Sequence, residues 1–142
     1  MRLPAYMVLA LALLTAACGG SDTATSPSTT TTTTSGATER FDAILEPGAS
    51  AFYSFTSSAG TVSINLASLS PLDRPGLLPV VMEIGYGIPA GEGCDVQMSM
   101  QTAPGLTSQF TGTLTAGTYC ASLVDVGNLK QPANFSMRIT HP

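Results

Sequence analysis

The stretch Leu114-Thr115-Ala116-Gly117-Thr118-Tyr119-Cys120-Ala121-Ser122-Leu123-Val124-Asp125-Val126 decides the fold. Its Ala116-Gly117 pair separates two runs in which apolar residues fall at every second place, the signature of a β-hairpin. In the second run Tyr119, Ala121 and Leu123 share one phase. Cys120 stands in the opposite phase, so its sulfur is expected on the outer face of a half-buried strand.

The same period extends outward over residues 39–142. Val62, Ile64 and Leu66 alternate with Ser63, Asn65 and Ala67; Val96, Met98 and Met100 with Asp95, Gln97, Ser99 and Gln101; Phe135, Met137 and Ile139 with Ser136, Arg138 and Thr140. Each segment therefore predicts a strand with one buried and one wet face. Further strands are expected at Arg40 to Leu45, Ala51 to Thr56, Val80 to Tyr86, Gln109 to Leu114 and Tyr119 to Val126. Between them lie turn clusters such as Glu46-Pro47-Gly48-Ala49-Ser50 and Ser57-Ser58-Ala59-Gly60. Pro71 to Pro79, with three prolines and a glycine, is too broken for a central strand and is read as a crossing between sheets. No helical period of ten residues free of Gly and Pro occurs in this region. The expectation is an all-β protein, an antiparallel jelly-roll β-sandwich of about eight strands.

Length and charge bound the function. The chain has 142 residues, and without its ends roughly a hundred remain, the size of one sandwich. Five Lys and Arg stand against nine Asp and Glu, with no basic cluster. Nucleic acid is excluded as a partner, because that affinity comes largely from neutralised phosphates.

The first 38 residues read as export and tether. Arg2 supplies a positive start, and Ala5 to Ala17 is an uncharged, mostly apolar run of 13 residues, too short to span a bilayer. Leu14-Thr15-Ala16-Ala17-Cys18-Gly19 resembles a bacterial lipobox, with Thr15 where such boxes usually carry Leu. Residues 1–17 are thus expected as a lipoprotein signal and Cys18 as the lipidated N-terminus. The alternative is an ordinary secretory signal that leaves Cys18 free. Three cysteines make an odd count, and lipidating Cys18 leaves Cys94 and Cys120 as an even pair in an oxidising compartment. Gly19 is not the Asp of inner-membrane retention signals, which favours the outer membrane in a host that has one. Residues 18–38, with six consecutive threonines, cannot bury apolar area and are read as a disordered spacer.

A disulfide between Cys94 and Cys120 is the second expectation. Cys94 ends the glycine-rich run Gly85 to Gly93, read as a flexible hairpin loop that lies over the outer face where Cys120 points.

At the turns the chain resembles a known family. Glu46-Pro47-Gly48 leading to Tyr53 and Phe55, Ala59-Gly60-Thr61-Val62 leading into Ile64 and Leu66, and Leu114-Thr115-Ala116-Gly117-Thr118-Tyr119 are similar to the bacterial pre-peptidase C-terminal domain. The resemblance covers nearly all of residues 39–142 and implies a secreted β-sandwich, usually appended to an exported hydrolase. The likeness is greater still to small bacterial lipoproteins with a Thr-rich linker and a terminal Thr140-His141-Pro142. No peptidase accompanies the domain here, so the resemblance carries no processing role.

Chemistry-bearing residues are sparse. His141 is the only histidine and lies one residue from the end, where an exposed tail is expected rather than a catalytic base. Asp42, Glu46, Asp73, Glu83, Glu92, Asp95 and Asp125 do not have the spacing of a calcium loop, and no metal or other cofactor is expected. Gly85 to Gly93 lacks the spacing and the following helix of a phosphate loop. Met82, Met98, Met100 and Met137 are read as core filling in preference to a copper(I) site. The chain has no Trp, and Tyr53, Phe55, Tyr119 and Phe135 fall on inward phases, which leaves Phe52 and Tyr86 as the candidate exposed platform. The resulting reading has no catalytic residues: a membrane-tethered, non-enzymatic envelope or protein-interaction module. A carbohydrate- or glycan-binding module is the alternative.

Overall fold

Period-two alternation resolves into eight strands in the computed structural model, which describes residues 36–142. They are β1 (Ala37–Leu45), β2 (Ser50–Ser57), β3 (Gly60–Pro71), β4 (Met82–Ala90), β5 (Gly93–Thr102), β6 (Phe110–Leu114), β7 (Gly117–Val124) and β8 (Ala133–His141). The expected signal, Cys18 and most of the spacer lie outside the described residues. The spacer's last two residues, Ala37 and Thr38, belong to β1, where they pair with His141 and Thr140. A β8 that continues to His141 offers backbone partners that the chain before Glu39 takes up.

Two four-stranded sheets form, in the orders β1-β8-β3-β6 and β2-β7-β4-β5, with every pairing antiparallel. Consecutive strands alternate between sheets except at the β4–β5 hairpin, which gives the jelly-roll order. Residues 72–81 carry the chain from the first sheet to the second, as the prolines predict, and Leu78 N donates to Leu69 O at 2.8 Å on the way.

The core lies between the sheets because inward phases from both converge there. Val62, Ile64, Leu66 and Leu69 of β3, Met137 and Ile139 of β8, Met82 and Ile84 of β4, and Ala121 and Leu123 of β7 are all fully buried. One side of the sandwich is closed by rings: Phe41 stacks on Tyr53 at 4.0 Å between centroids, and Tyr53 meets the edge of Phe135 at 6.2 Å. That closure joins β1 of one sheet to β2 of the other.

The opposite side differs from expectation in two ways. Gly87 to Ala90, beyond the strand expected to end at Tyr86 and read as loop, continues β4, and the turn is confined to Gly91 and Glu92, with Gly91 at φ 59°. Val96, Met98 and Met100, read as a buried face, are exposed. A register shift between Tyr86 and Gly87 leaves Gln97 unpaired, so Val96 pairs with outward Gly87 while Met98 pairs with inward Tyr86. The inward side of β5 then overhangs the sandwich, because the strand facing it, β6, has only five residues. An apolar phase in the sequence specifies a face but not whether a second sheet reaches it.

Candidate functional site

The feature with the most uncovered chemistry is the outer face of the β2-β7-β4-β5 sheet. Its cross-strand rows follow from the register. Phe52 lies opposite Ser122, Ser122 opposite Gly85, and Gly85 opposite Ser99; in the next row Ser54, Cys120, Gly87 and Val96 succeed one another. The two glycines matter because β5 curls over this face. A Cβ at Gly85 would run into the backbone carbonyl oxygen of Met98, and one at Gly87 into that of Asp95. Neither position calls for an unusual φ, so glycine is needed there for close backbone approach.

That approach brings the hairpin end above β7, where Cys94 and Cys120 are bonded with Cα atoms 5.9 Å apart. Cys120 is wholly buried although it sits on the outer face, because the hairpin end covers it. The cysteines therefore meet where expected, carried by a bent β-ladder instead of a loose loop.

Between the stapled hairpin and β2 lies a groove of about 350 Å³, lined by Phe52, Ser122 and Val124 on one side and Glu92, Cys94 and Val96 on the other. Phe52 is 39% exposed. Tyr86, the other half of the expected platform, is buried and points the opposite way. It shares the inward phase of Met82 and Ile84, its hydroxyl donates to Met98 Sδ at 3.4 Å, and its ring meets Phe110 edge-on at 5.5 Å. Glycine must occupy the outward places on either side of it. The two aromatics lie on opposite faces of one sheet, and the two-ring platform is corrected to a single ring beside a groove.

His141 is likewise not an exposed tail. It is the last residue of β8, 4% exposed, with its ring 5.1 Å from that of Phe55 and Nε2 3.0 Å from Glu39 Oε1. The ladder with β1 holds it there, and its place in the phase of Phe135, Met137 and Ile139 was the available signal.

Three polar side chains that pattern reading missed are committed to the backbone. Asp125 is buried and accepts N–H bonds from Gly48 at 2.8 Å, Gly127 at 3.1 Å, Asn128 at 2.8 Å and Leu129 at 3.1 Å. Burial alone would raise its pKa, but these four donors outweigh burial and hold the carboxyl below its usual range. Gln109 fills the irregularity in β3 between Leu66 and Ser68: its Oε1 accepts from Leu66 N at 2.8 Å while its Nε2 donates to Ala103 O at 3.0 Å. Asn65 Nδ2 donates to Gly105 O at 2.9 Å and also to Thr107 O.

The outer face of the other sheet carries a wider, shallower depression of about 390 Å³ bounded by Arg40, Asp42, Ile44, Ser68 and Asn134. Its Arg40–Asp42 ion pair, at 2.8 Å, is exposed to water on both sides and adds little stability. Among the described residues no group of three His, Cys, Asp or Glu side chains converges as a metal site.

No protein-family model matches the chain, and no curated protein matches it.

Proposed function

We propose that this chain is a lipid-anchored extracytoplasmic protein whose β-sandwich acts as a non-enzymatic interaction module of the bacterial envelope. The observation that carries the interaction reading is the uncovered apolar surface on the outer face of the β2-β7-β4-β5 sheet, where Phe52 and Val96, 39% and 38% exposed, line one groove. Contiguous apolar exposure of this kind on a small domain marks a contact surface. Two of the buried polar groups hold the fold together: Asp125 ties the β1–β2 turn to the loop after β7, and His141 of β8 bonds to Glu39 of β1.

The tether reading rests on the Leu14 to Cys18 sequence and on cysteine pairing. With Cys94 bonded to Cys120, Cys18 is the third cysteine and is left for the lipid. Two or more acyl chains would hold the protein firmly on the membrane, since each buried methylene contributes about 0.8 kcal/mol. The residues at the turns and the eight-stranded sandwich support kinship with the pre-peptidase C-terminal domain.

The groove beside Phe52 favours one second reading, a glycan ligand. An aromatic edge with the Glu92 carboxylate and the hydroxyls of Ser50 and Ser122 nearby offers an apolar patch flanked by polar groups. The test is capture from solubilised cell envelopes on immobilised full-length protein, with Phe52→Ser as the comparison, alongside binding of soluble peptidoglycan fragments and polysaccharides. Recovery of a defined envelope protein by the native chain, reduced for Phe52→Ser, supports the interaction module. Saturable glycan binding without a protein supports the second reading. Recovery of neither overturns both.

A further inference from the structure

Strand β5 is unlike the other seven. Each of them has at least one buried residue, whereas none of the ten residues of β5 is buried, and Asp95 to Gln101 are exposed without interruption. Among the described residues it is the edge of its sheet, hydrogen-bonded along one side to β4 only. Edge strands ordinarily carry devices against lateral pairing, such as charge, brevity or cover. At the other edges β1 carries Glu39, Arg40 and Asp42, β6 has five residues, and β2 has its inward face closed by the ring stack on β1. From Val96 to Thr102, β5 has no charged residue and exposes one valine and two methionines.

We infer that β5 is the interface of a homodimer, in which two copies of this chain pair their β5 strands antiparallel about a two-fold axis at Ser99. Three observations select a second copy as the occupant. An axis at Ser99 sets Met98 of each chain opposite Met100 of the other. Both residues lie on the inward side of β5, since they pair with Tyr86 and Ile84, so their side chains meet on one face. The sequence about that axis, Gln97-Met98-Ser99-Met100-Gln101, reads the same in both directions, so the strand is complementary to its own antiparallel copy. The chain is acidic, and two copies repel over most of their surface; antiparallel pairing brings together the uncharged segment and sends the two Asp95 carboxylates to opposite ends. A two-fold axis makes such an interface self-complementary and closed. The two four-stranded sheets become one of eight, with the Phe52 grooves of both copies on its outer face. The inference is independent of what those grooves bind.

The test uses the full-length chain in detergent, by sedimentation velocity over a concentration series. The native protein is expected as a dimer. Ser99→Lys and Ser99→Glu, at an exposed position, each place like charges directly across the axis and are expected to weaken the dimer by roughly tenfold or more. An equimolar mixture of the two variants is expected to restore it as a heterodimer. A photo-crosslinking residue at position 99 of the otherwise native chain reads the register without a charge, and its product is expected to join residue 99 to β5 of a second chain. A monomeric native protein overturns the inference. So does a dimer indifferent to both charges, or a crosslink to any other strand or to a different protein.

Discussion

Asp125 does structural work that a motif search for catalytic acids would misassign. Its carboxylate gathers four backbone N–H groups, one from the β1–β2 turn and three from the loop after β7, and its own N–H donates to Ala49 O at 3.0 Å. Two turns far apart in sequence are fixed by one side chain. Asp125→Ala leaves those donors unpaired in a mostly buried place and is expected to cost about 2–3 kcal/mol in denaturant unfolding at neutral pH. The sign of the pH dependence follows from the lowered pKa. A carboxyl depressed in the folded state contributes fully above its unfolded value, near 3.8, and loses that contribution as pH falls through its folded value. The gap between native protein and variant should therefore narrow as the pH falls below the unfolded value. An unchanged gap would mean that the carboxylate is not the group responsible.

At the scale of strands, the pair Gly85 and Gly87 sets the shape of the candidate surface. Gly85→Ala or Gly87→Ala places a methyl group against a backbone carbonyl of β5, which cannot yield as a flexible side chain can. Each substitution is expected to cost about 1–3 kcal/mol and to lift the hairpin from β7. Free-thiol titration of the variants should then find Cys94 and Cys120 partly unpaired after oxidative refolding; full oxidation with native stability would contradict the close-approach account. These glycines also explain what could be read from the sequence and what could not. Alternation located all eight strands, in seven because burial on one face imposes period two wherever a strand meets the core, and in β5 without any buried residue. It failed from Gly87 to Ala90, where glycine normally weakens a strand and here lets another backbone approach. It placed Val96, Met98 and Met100 inside, since a phase carries no information about where the opposing sheet ends. The cysteine pairing was legible from counting, phase and compartment. The groove beside Phe52 was not, because its walls, Phe52 and Glu92, are 40 residues apart in sequence and meet only through the curl of β5.

For the molecule as a whole, the disulfide joins the overhanging hairpin to the core-bearing strand β7 across a separation of 26 residues. On the chain-entropy account a closed loop of that length stabilises the fold by about 3–4 kcal/mol. That is a large share of the total for a domain of this size. Reduction should lower the denaturation midpoint accordingly while the sandwich remains folded, and an unchanged midpoint would remove the disulfide from the stability of the fold. The most direct measurement is the intact mass of the protein extracted from host membranes, taken after thiol alkylation without reductant. The account predicts a chain that begins at Cys18, carries acylglycerol there and takes up no alkyl group. A chain cleaved elsewhere and without lipid would contradict the tether, and two added alkyl groups would contradict the disulfide.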